Sequence, residues 1–210
     1  MSMSEPNDRS AHWDQVYQQK SSTEVGWYRS HLELSLRLLT VAGLDASSRV
    51  IDIGGGASTL VDDLLNLGVG NITVLDLSAG SLQVSQARLG ARAEQVTWLT
   101  SDVTRVALSE AGFTHWHDRA VLHFLTDAQD VRAYAAQAAS AIVPGGHAVI
   151  GGFAPDGPER CSGLPVVRRS AEDIAAALGP KFQLVTTAAE VHVTPGGNAQ
   201  SFIYALLRRI

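Results

Sequence analysis

The chain has 210 residues, 45% of them apolar and 18% charged, which is globular composition and enough for a sizeable α/β core. Its net charge of −5 speaks against a protein held on nucleic acid through phosphate contacts, which needs a basic face. One cysteine, Cys161, rules out a disulfide framework within the chain, and no apolar run approaches membrane-spanning length.

Residues 1–10 are polar, lack the apolar core of a signal peptide and are expected to be flexible. With the single cysteine they predict a reducing, cytoplasmic location. Trp13, Tyr17, Trp27 and Tyr28 follow, with Trp13 and Tyr17 four apart on one helical face. They serve either as core packing or as a lid. Leucines at 32, 34, 36, 38 and 39 predict a helix over 32–41, closed by Gly43.

Val50 to Ile53 is an apolar run that reads as a buried strand. Gly54, Gly55 and Gly56 follow at once, and Ser58 stands where a helix N-cap belongs before the amphipathic run Leu60–Leu67. Strand, glycine turn and helix bring bare backbone against a ligand, and the helix start attracts anionic groups. A dinucleotide turn wants a third glycine where this chain has Thr59. Residues 71–77 form a second buried strand that carries Asp76 near its end, where a carboxylate can accept both ribose hydroxyls of an adenosine.

A helix over 79–91 leads to a strand at 96–99 and the group Thr100-Ser101-Asp102. A fourth strand is expected over 113–120, a helix over 128–142, a turn at Pro144-Gly145-Gly146 and a fifth strand over 147–153. After the Pro- and Gly-rich loop 154–168 come a helix over 171–178 and strands over 182–193 and 201–208. Strands alternating with helices imply a doubly wound, mostly parallel sheet. Pro195-Gly196-Gly197-Asn198 is too short for a parallel crossover, so the last strand is antiparallel to its predecessor.

Asp52, Gly54, Gly56 and Ser58 resemble motif I of the class I S-adenosylmethionine-dependent methyltransferases. Pro144-Gly145-Gly146 resembles the turn before that family's fifth strand, and the segment 113–123 resembles its motif IV. The resemblance covers nearly the whole chain and implies a Rossmann-like, seven-stranded sheet with the last strand antiparallel. It implies one domain over 11–210, with lid or cap helices over 11–45 and a substrate-determining segment at 154–168. It implies S-adenosylmethionine held by Asp52, Gly54, Gly55, Gly56, Ser58, Asp76, Leu77, Asp102, Val103 and His117, under Trp13, Tyr17 and Trp27.

The N-terminal aromatics resemble a branch that includes protein-lysine methyltransferases. In that branch motif IV commonly reads Asp-Lys-Gly-Thr, where this chain has Asp118-Arg119-Ala120-Val121. The departure favours a small-molecule acceptor with an S, N, O or metalloid nucleophile. A protein lysine is the alternative, and neither nucleic acid nor membrane is an expected partner. A non-catalytic S-adenosylmethionine-binding module and a nicotinamide oxidoreductase are more distant readings.

His123 is the candidate general base with a near-neutral pKa, or else a surface histidine on a helix face. Asp118 is a candidate to contact substrate or to pair with Arg119. Tyr28, Cys161 and Arg168 are the candidate substrate contacts, with Cys161 also readable as a small buried hydrophobe. His115 and His117 share one side of a regular strand and invite a metal reading, but no second ligand spacing supports it, and no metal is expected.

Overall fold

The computed structural model describes residues 6–19 and 25–210. The expected flexible N-terminus is helical from Pro6 onward, and residues 1–5 lie outside the described residues. Helix α1 spans Pro6–Gln19 and opens on proline, whose missing N–H is no loss in a first turn. Helix α2 spans Glu33–Val41 and buries Leu34, Leu38 and Leu39, the inward stripe of the leucine run.

Strands β1 (Arg49–Ile53), β2 (Asn71–Asp76), β3 (Val96–Thr100) and β4 (Phe113–Arg119) alternate with α3 (Leu60–Asn66) and α4 (Ala79–Leu89). Helix α5 (Ala128–Ala141) leads into β5 (Ile142–Phe153). A two-stranded hairpin, β6 (Arg160–Cys161) and β7 (Leu164–Pro165), precedes α6 (Ala171–Leu178), β8 (Phe182–Val193) and β9 (Ala199–Arg209). The main sheet runs β3-β2-β1-β4-β5-β9-β8, with β9 antiparallel to both neighbours and the other adjacent pairs parallel. This is the expected doubly wound sheet, and its strand order reverses between β1 and β4, where such sheets bind ligands at their carboxyl ends.

Both sheet faces are covered, so neighbouring strand residues are buried whichever way they point. Val50, Ile72, Val74 and Leu206 pack with Leu38, Leu39, Leu60 and Leu64 on one face. Ile51, Ile53, Ala148 and Ile150 pack with Trp116, Tyr134, Ile174 and Leu178 on the other.

Two local readings are corrected. Pro144-Gly145-Gly146 is not a free turn but part of a bulge in β5: pairing with β4 steps from Phe113↔Ile142 to His115↔His147. The loop 154–168 carries the β6–β7 hairpin, turned by Ser162 and Gly163, both with positive φ. Val167 N–H donates to the His123 carbonyl at 2.8 Å, so the hairpin's exit is tied to the segment after β4.

Candidate functional site

The carboxyl ends of β1, β2, β4 and β5 open on a cavity of about 930 Å³. One wall is Gly54, Asp76, Leu77, Asp102 and Val103, under Trp13, Tyr17 and Trp27. Its far end is walled by Arg119, His123, Phe124, Phe153 and Phe202 and by the β6–β7 hairpin with Cys161.

The glycine turn is shaped by close approach. Gly54 has φ +66°, and a Cβ there would fall 2.2 Å from Val121 Cγ2. Gly56 has φ +30°, and its Cβ would fall 2.7 Å from Asp76 Oδ2. Both conformations and both spaces exclude other residues. Gly54 N–H donates to Leu75 O at 2.7 Å, locking the turn to β2 and setting Asp76 beside it. The N-cap position of α3 is Thr59 and not the expected Ser58, which stands one residue earlier with its Oγ accepting from Leu60 N–H at 3.2 Å. Thr59, at the position of the missing third glycine, donates its hydroxyl to Arg29 O at 3.0 Å.

Asp76 is buried, and Ser78 N–H donates to its Oδ1 at 2.8 Å. Burial pushes its carboxyl up to about 6, held back by the Ser78 N–H and the Ser81 hydroxyl. A buried carboxylate lining a cavity next to bare glycine backbone fits a ligand that donates two hydroxyls. Asp102 lines the same wall, and its Oδ1 accepts from Thr104 N–H and Oγ1 at 2.8 and 2.7 Å.

Helix α1 is fastened over this wall. Ser10 Oγ donates to Leu77 O at 3.0 Å, Ser78 Oγ donates to Asp14 Oδ1 at 2.5 Å, and Arg9 pairs with Asp130 at 2.5 Å. Trp13 meets Trp27 and Phe124 edge-on at 5.8 and 5.1 Å, and Tyr17 meets Trp27 at 6.1 Å. These aromatics line the cavity and also pack on one another. Burial, with Asp76 close by, holds the Tyr17 hydroxyl protonated.

Other candidate residues stand elsewhere. Asp52 and His117 face each other across β1 and β4, and lie beneath the turn, off the large cavity. His117 Nδ1 meets Asp52 Oδ1 at 2.7 Å and Nε2 meets Ser35 Oγ at 2.8 Å, so this side chain braces the turn from within the core. They line a small adjoining cavity of about 40 Å³ together with Gly55, Ser58 and Tyr28. Tyr28 therefore lies behind the glycine turn and not at the far end of the large cavity.

Asp118 does not line the large cavity. Its Oδ1 accepts from Val121 N–H at 2.7 Å, and its Oδ2 accepts from Leu122 N–H at 3.0 Å and Tyr134 OH at 2.6 Å. It fixes the turn after β4, and burial pushes it up to about 6. Nor does it pair with Arg119, which turns to Tyr204, Trp27 and Glu190. Arg168 lies on the loop surface, bonded to Gly157 O and Glu159.

His123 is not a surface histidine. It is 3% exposed, faces the cavity, and neither ring nitrogen has a hydrogen-bond partner among the described residues. Burial, then Arg169 and Arg119, press its pKa down to about 3, so it is neutral and a weak base. Cys161 is half-buried on the cavity wall, its thiol pushed up to about 11 by burial. His115 bonds Ala42 O and Thr114 Oγ1, which occupies both of its ring nitrogens.

Sequence reasoning passed over Arg119 as a site residue, along with Phe124, Phe153 and Phe202. Arg119 carried a signal: a charge at the carboxyl end of a buried strand is expensive unless it is used. The three phenylalanines carried none, because they read as ordinary core.

This architecture is the fold of solved S-adenosylmethionine-dependent methyltransferases, and the chain is similar to a methyltransferase family over part of its length. More particularly, residues 50–146, from β1 to the β5 bulge, match the family described as methyltransferase domain. Over 121 residues the chain is 29% identical to eEF1A lysine and N-terminal methyltransferase of Mus musculus, a match spanning 57% of this chain and 17% of that protein. A solved structure concerned with conversion of a disulfide bond into a thioacetal group during echinomycin biosynthesis superposes with a TM-score of 0.77. It is 18% identical, over 95% of this chain and 91% of that one. The 1,6-didemethyltoxoflavin-N1-methyltransferase of Burkholderia thailandensis, with bound 1,6-didemethyltoxoflavin and S-adenosylhomocysteine, gives 0.69 at 18% identity, over 100% and 92%. At such identities the solved structures share the fold alone. No helix among the described residues is long and apolar enough to cross a membrane.

Proposed function

We propose that the protein transfers a methyl group from S-adenosylmethionine to a small-molecule acceptor. The observation that carries this reading is the far end of the large cavity: an aromatic chamber of Phe124, Phe153 and Phe202, covered by the β6–β7 hairpin, and continuous with the glycine turn. S-adenosylmethionine, when bound, supplies a methyl group on a sulfonium for in-line displacement. The chain's residues hold and orient. Asp76 would accept from the ribose hydroxyls, Leu77, Asp102 and Val103 would surround the adenine, and Gly54–Gly56 would let the backbone approach. Trp13, Tyr17 and Trp27 would exclude water and offer aromatic faces to the sulfonium cation. Positioning supplies most of the rate, and no strong base is required.

A protein lysine is the second reading, favoured by the identity to the murine lysine and N-terminal methyltransferase. Incubation with methyl-labelled S-adenosylmethionine and a cell lysate separates the two. Label in the small-metabolite fraction supports the first reading, and label confined to protein supports the second.

A further inference from the structure

Two buried polar side chains at the far end of the cavity carry nitrogen atoms with no hydrogen-bond partner among the described residues. Arg119 ends β4 at the switch point of the sheet, with its side chain 7% exposed. Its Nε donates to Tyr204 OH and its Nη1 to Trp27 O, both at 3.0 Å, and its Cζ lies 4.8 Å over the Phe202 ring. The buried Nη2 makes no hydrogen bond; Glu190 Oε1 stands 3.7 Å away and Glu190 also pairs with Arg29 at 3.2 Å. His123, on the same cavity wall, has both ring nitrogens unpartnered and packs on Phe124 and Phe153 at 4.3 and 4.9 Å. Buried polar groups in native proteins are nearly always bonded, so a free guanidinium N–H and a free imidazole sharing one cavity ask for a ligand.

Resting on the methyltransferase reading, we propose that this corner binds an acceptor thiol as its thiolate, the sulfur held by Arg119 and His123 and the apolar remainder among the phenylalanines.

The surrounding charges support an anion. Arg119 and Arg29 share the single carboxylate of Glu190, and His192 beside Arg29 is pressed toward its neutral form by burial. Arg169 stands behind His123, bonded to the Leu122 and Leu125 carbonyls. The nearby Asp118 has its oxygens filled by Tyr134 and backbone N–H groups. Tyr204 and Cys161 keep their protons, raised by burial. No group in this corner takes up a proton at neutral pH. An amine would become a cationic product beside Arg119, and an alcohol would need a base. A thiol, with a pKa of about 8.5 in cysteine and higher in a simple alkanethiol, is the most acidic of the three, ionises to water more readily beside a cation, and is strongly nucleophilic as the thiolate.

The step balances without a protein base. The thiol first gives its proton to water. A lone pair of the thiolate sulfur then forms the new sulfur–methyl bond as the sulfonium–methyl bond breaks, and that electron pair stays on the departing sulfur. One negative and one positive charge vanish, and the products are a neutral thioether and S-adenosylhomocysteine.

The test uses 2-phenylethanethiol, 2-phenylethylamine and 2-phenylethanol with saturating S-adenosylmethionine, product methylation being read by mass spectrometry from pH 6 up to about 11, past the free thiol's own ionisation. The thiol is methylated, with the amine and alcohol slower by roughly a hundredfold. Its rate rises to a plateau with a midpoint about one unit or more below the free thiol's pKa. Arg119→Gln returns the midpoint to the free value, Arg119→Lys restores it, and neither changes S-adenosylhomocysteine affinity by calorimetry. Independently of turnover and of any variant's folding, thiol binding to the wild-type protein loaded with S-adenosylhomocysteine releases a proton, seen as a buffer-dependent heat. An equal rate with the amine, absence of proton release, or methylation of no thiol by a protein that binds S-adenosylhomocysteine overturns the proposal. So does a loss of S-adenosylhomocysteine affinity in Arg119→Gln with the midpoint unmoved, which would put the cofactor's own carboxylate on Arg119. If the wild type binds no S-adenosylhomocysteine at all, it is the methyltransferase reading that fails.

Discussion

Replacing Asp76 by asparagine should make the ligand-free protein more stable and its cofactor site worse. Asp76 is buried beside the glycine turn, and burial lifts its pKa from the ordinary carboxylate range to about 6. At roughly 1.4 kcal/mol per pKa unit, ionising it in the fold costs about 3 kcal/mol. The sign follows from linkage: the folded state binds this proton more tightly than the unfolded state. The stability it contributes is complete below the unfolded value, near 3.9 or so, and is lost as pH rises through about 6. Asparagine keeps the acceptor for Ser78 N–H and carries no charge. Asp76→Asn should therefore be more stable than wild type by up to about 3 kcal/mol at pH 8, and the two should converge toward pH 4. In a chain of this size that is a rise in Tm of about 6–12 °C at pH 8. S-adenosylhomocysteine affinity should fall by about 1.5–3 kcal/mol, the range for a hydrogen bond to a charged group. In wild type that affinity should itself weaken as pH drops below about 6, and in the variant it should not. Urea melts and calorimetry at pH 5 and 8 read both effects. Equal stability at pH 8, or unchanged affinity, would refute the burial argument or the ribose assignment respectively.

His117→Ala leaves the Asp52 carboxylate buried without its partner and should cost about 3–5 kcal/mol in a urea melt. Tyr134→Phe removes a hydroxyl donor from buried Asp118 and should cost about 1–3 kcal/mol, with S-adenosylhomocysteine affinity retained. If α1 and the aromatics close over the cofactor, residues 12–17 and 25–28 should gain hydrogen-exchange protection with S-adenosylhomocysteine; protection confined to the glycine turn would leave them as packing. His123→Ala and Cys161→Ser should slow turnover with S-adenosylmethionine affinity intact, whereas normal turnover in both would remove both from the acceptor chamber.

Much of the sheet was legible because its strands are apolar runs bounded by glycine or polar turns. Residues 50–53 and 72–75 are examples, and the antiparallel end of the sheet followed from the length of the 195–198 connection alone. Asp76 was legible because a carboxylate at a strand end beside a glycine turn is a local pattern. What local patterns cannot carry is where a side chain's partner comes from. His117 finds Asp52 on a neighbouring strand and Ser35 on α2, 65 and 82 residues away. Asp118 has the composition of a catalytic acid, but Tyr134 and two backbone N–H groups from the following turn fill it. His123 sits in the short apolar run 120–125, which does not say where its ring points; Phe124 and the distant Phe153 pack on it, and burial drives its pKa down. The bulge in β5 escaped detection for the opposite reason. Pro-Gly-Gly is a strong turn signal, and only pairing with β4 draws it into a strand.

A crystal structure of the S-adenosylhomocysteine complex tests the assignment of the site most directly. The ribose hydroxyls should lie within about 2.6–3.2 Å of the Asp76 carboxylate. The adenine should rest near Leu77, Asp102 and Val103, with the sulfur turned toward the chamber of Arg119, His123 and the three phenylalanines. An adenosyl group bound away from Asp76, or a sulfur turned away from that chamber, would contradict it.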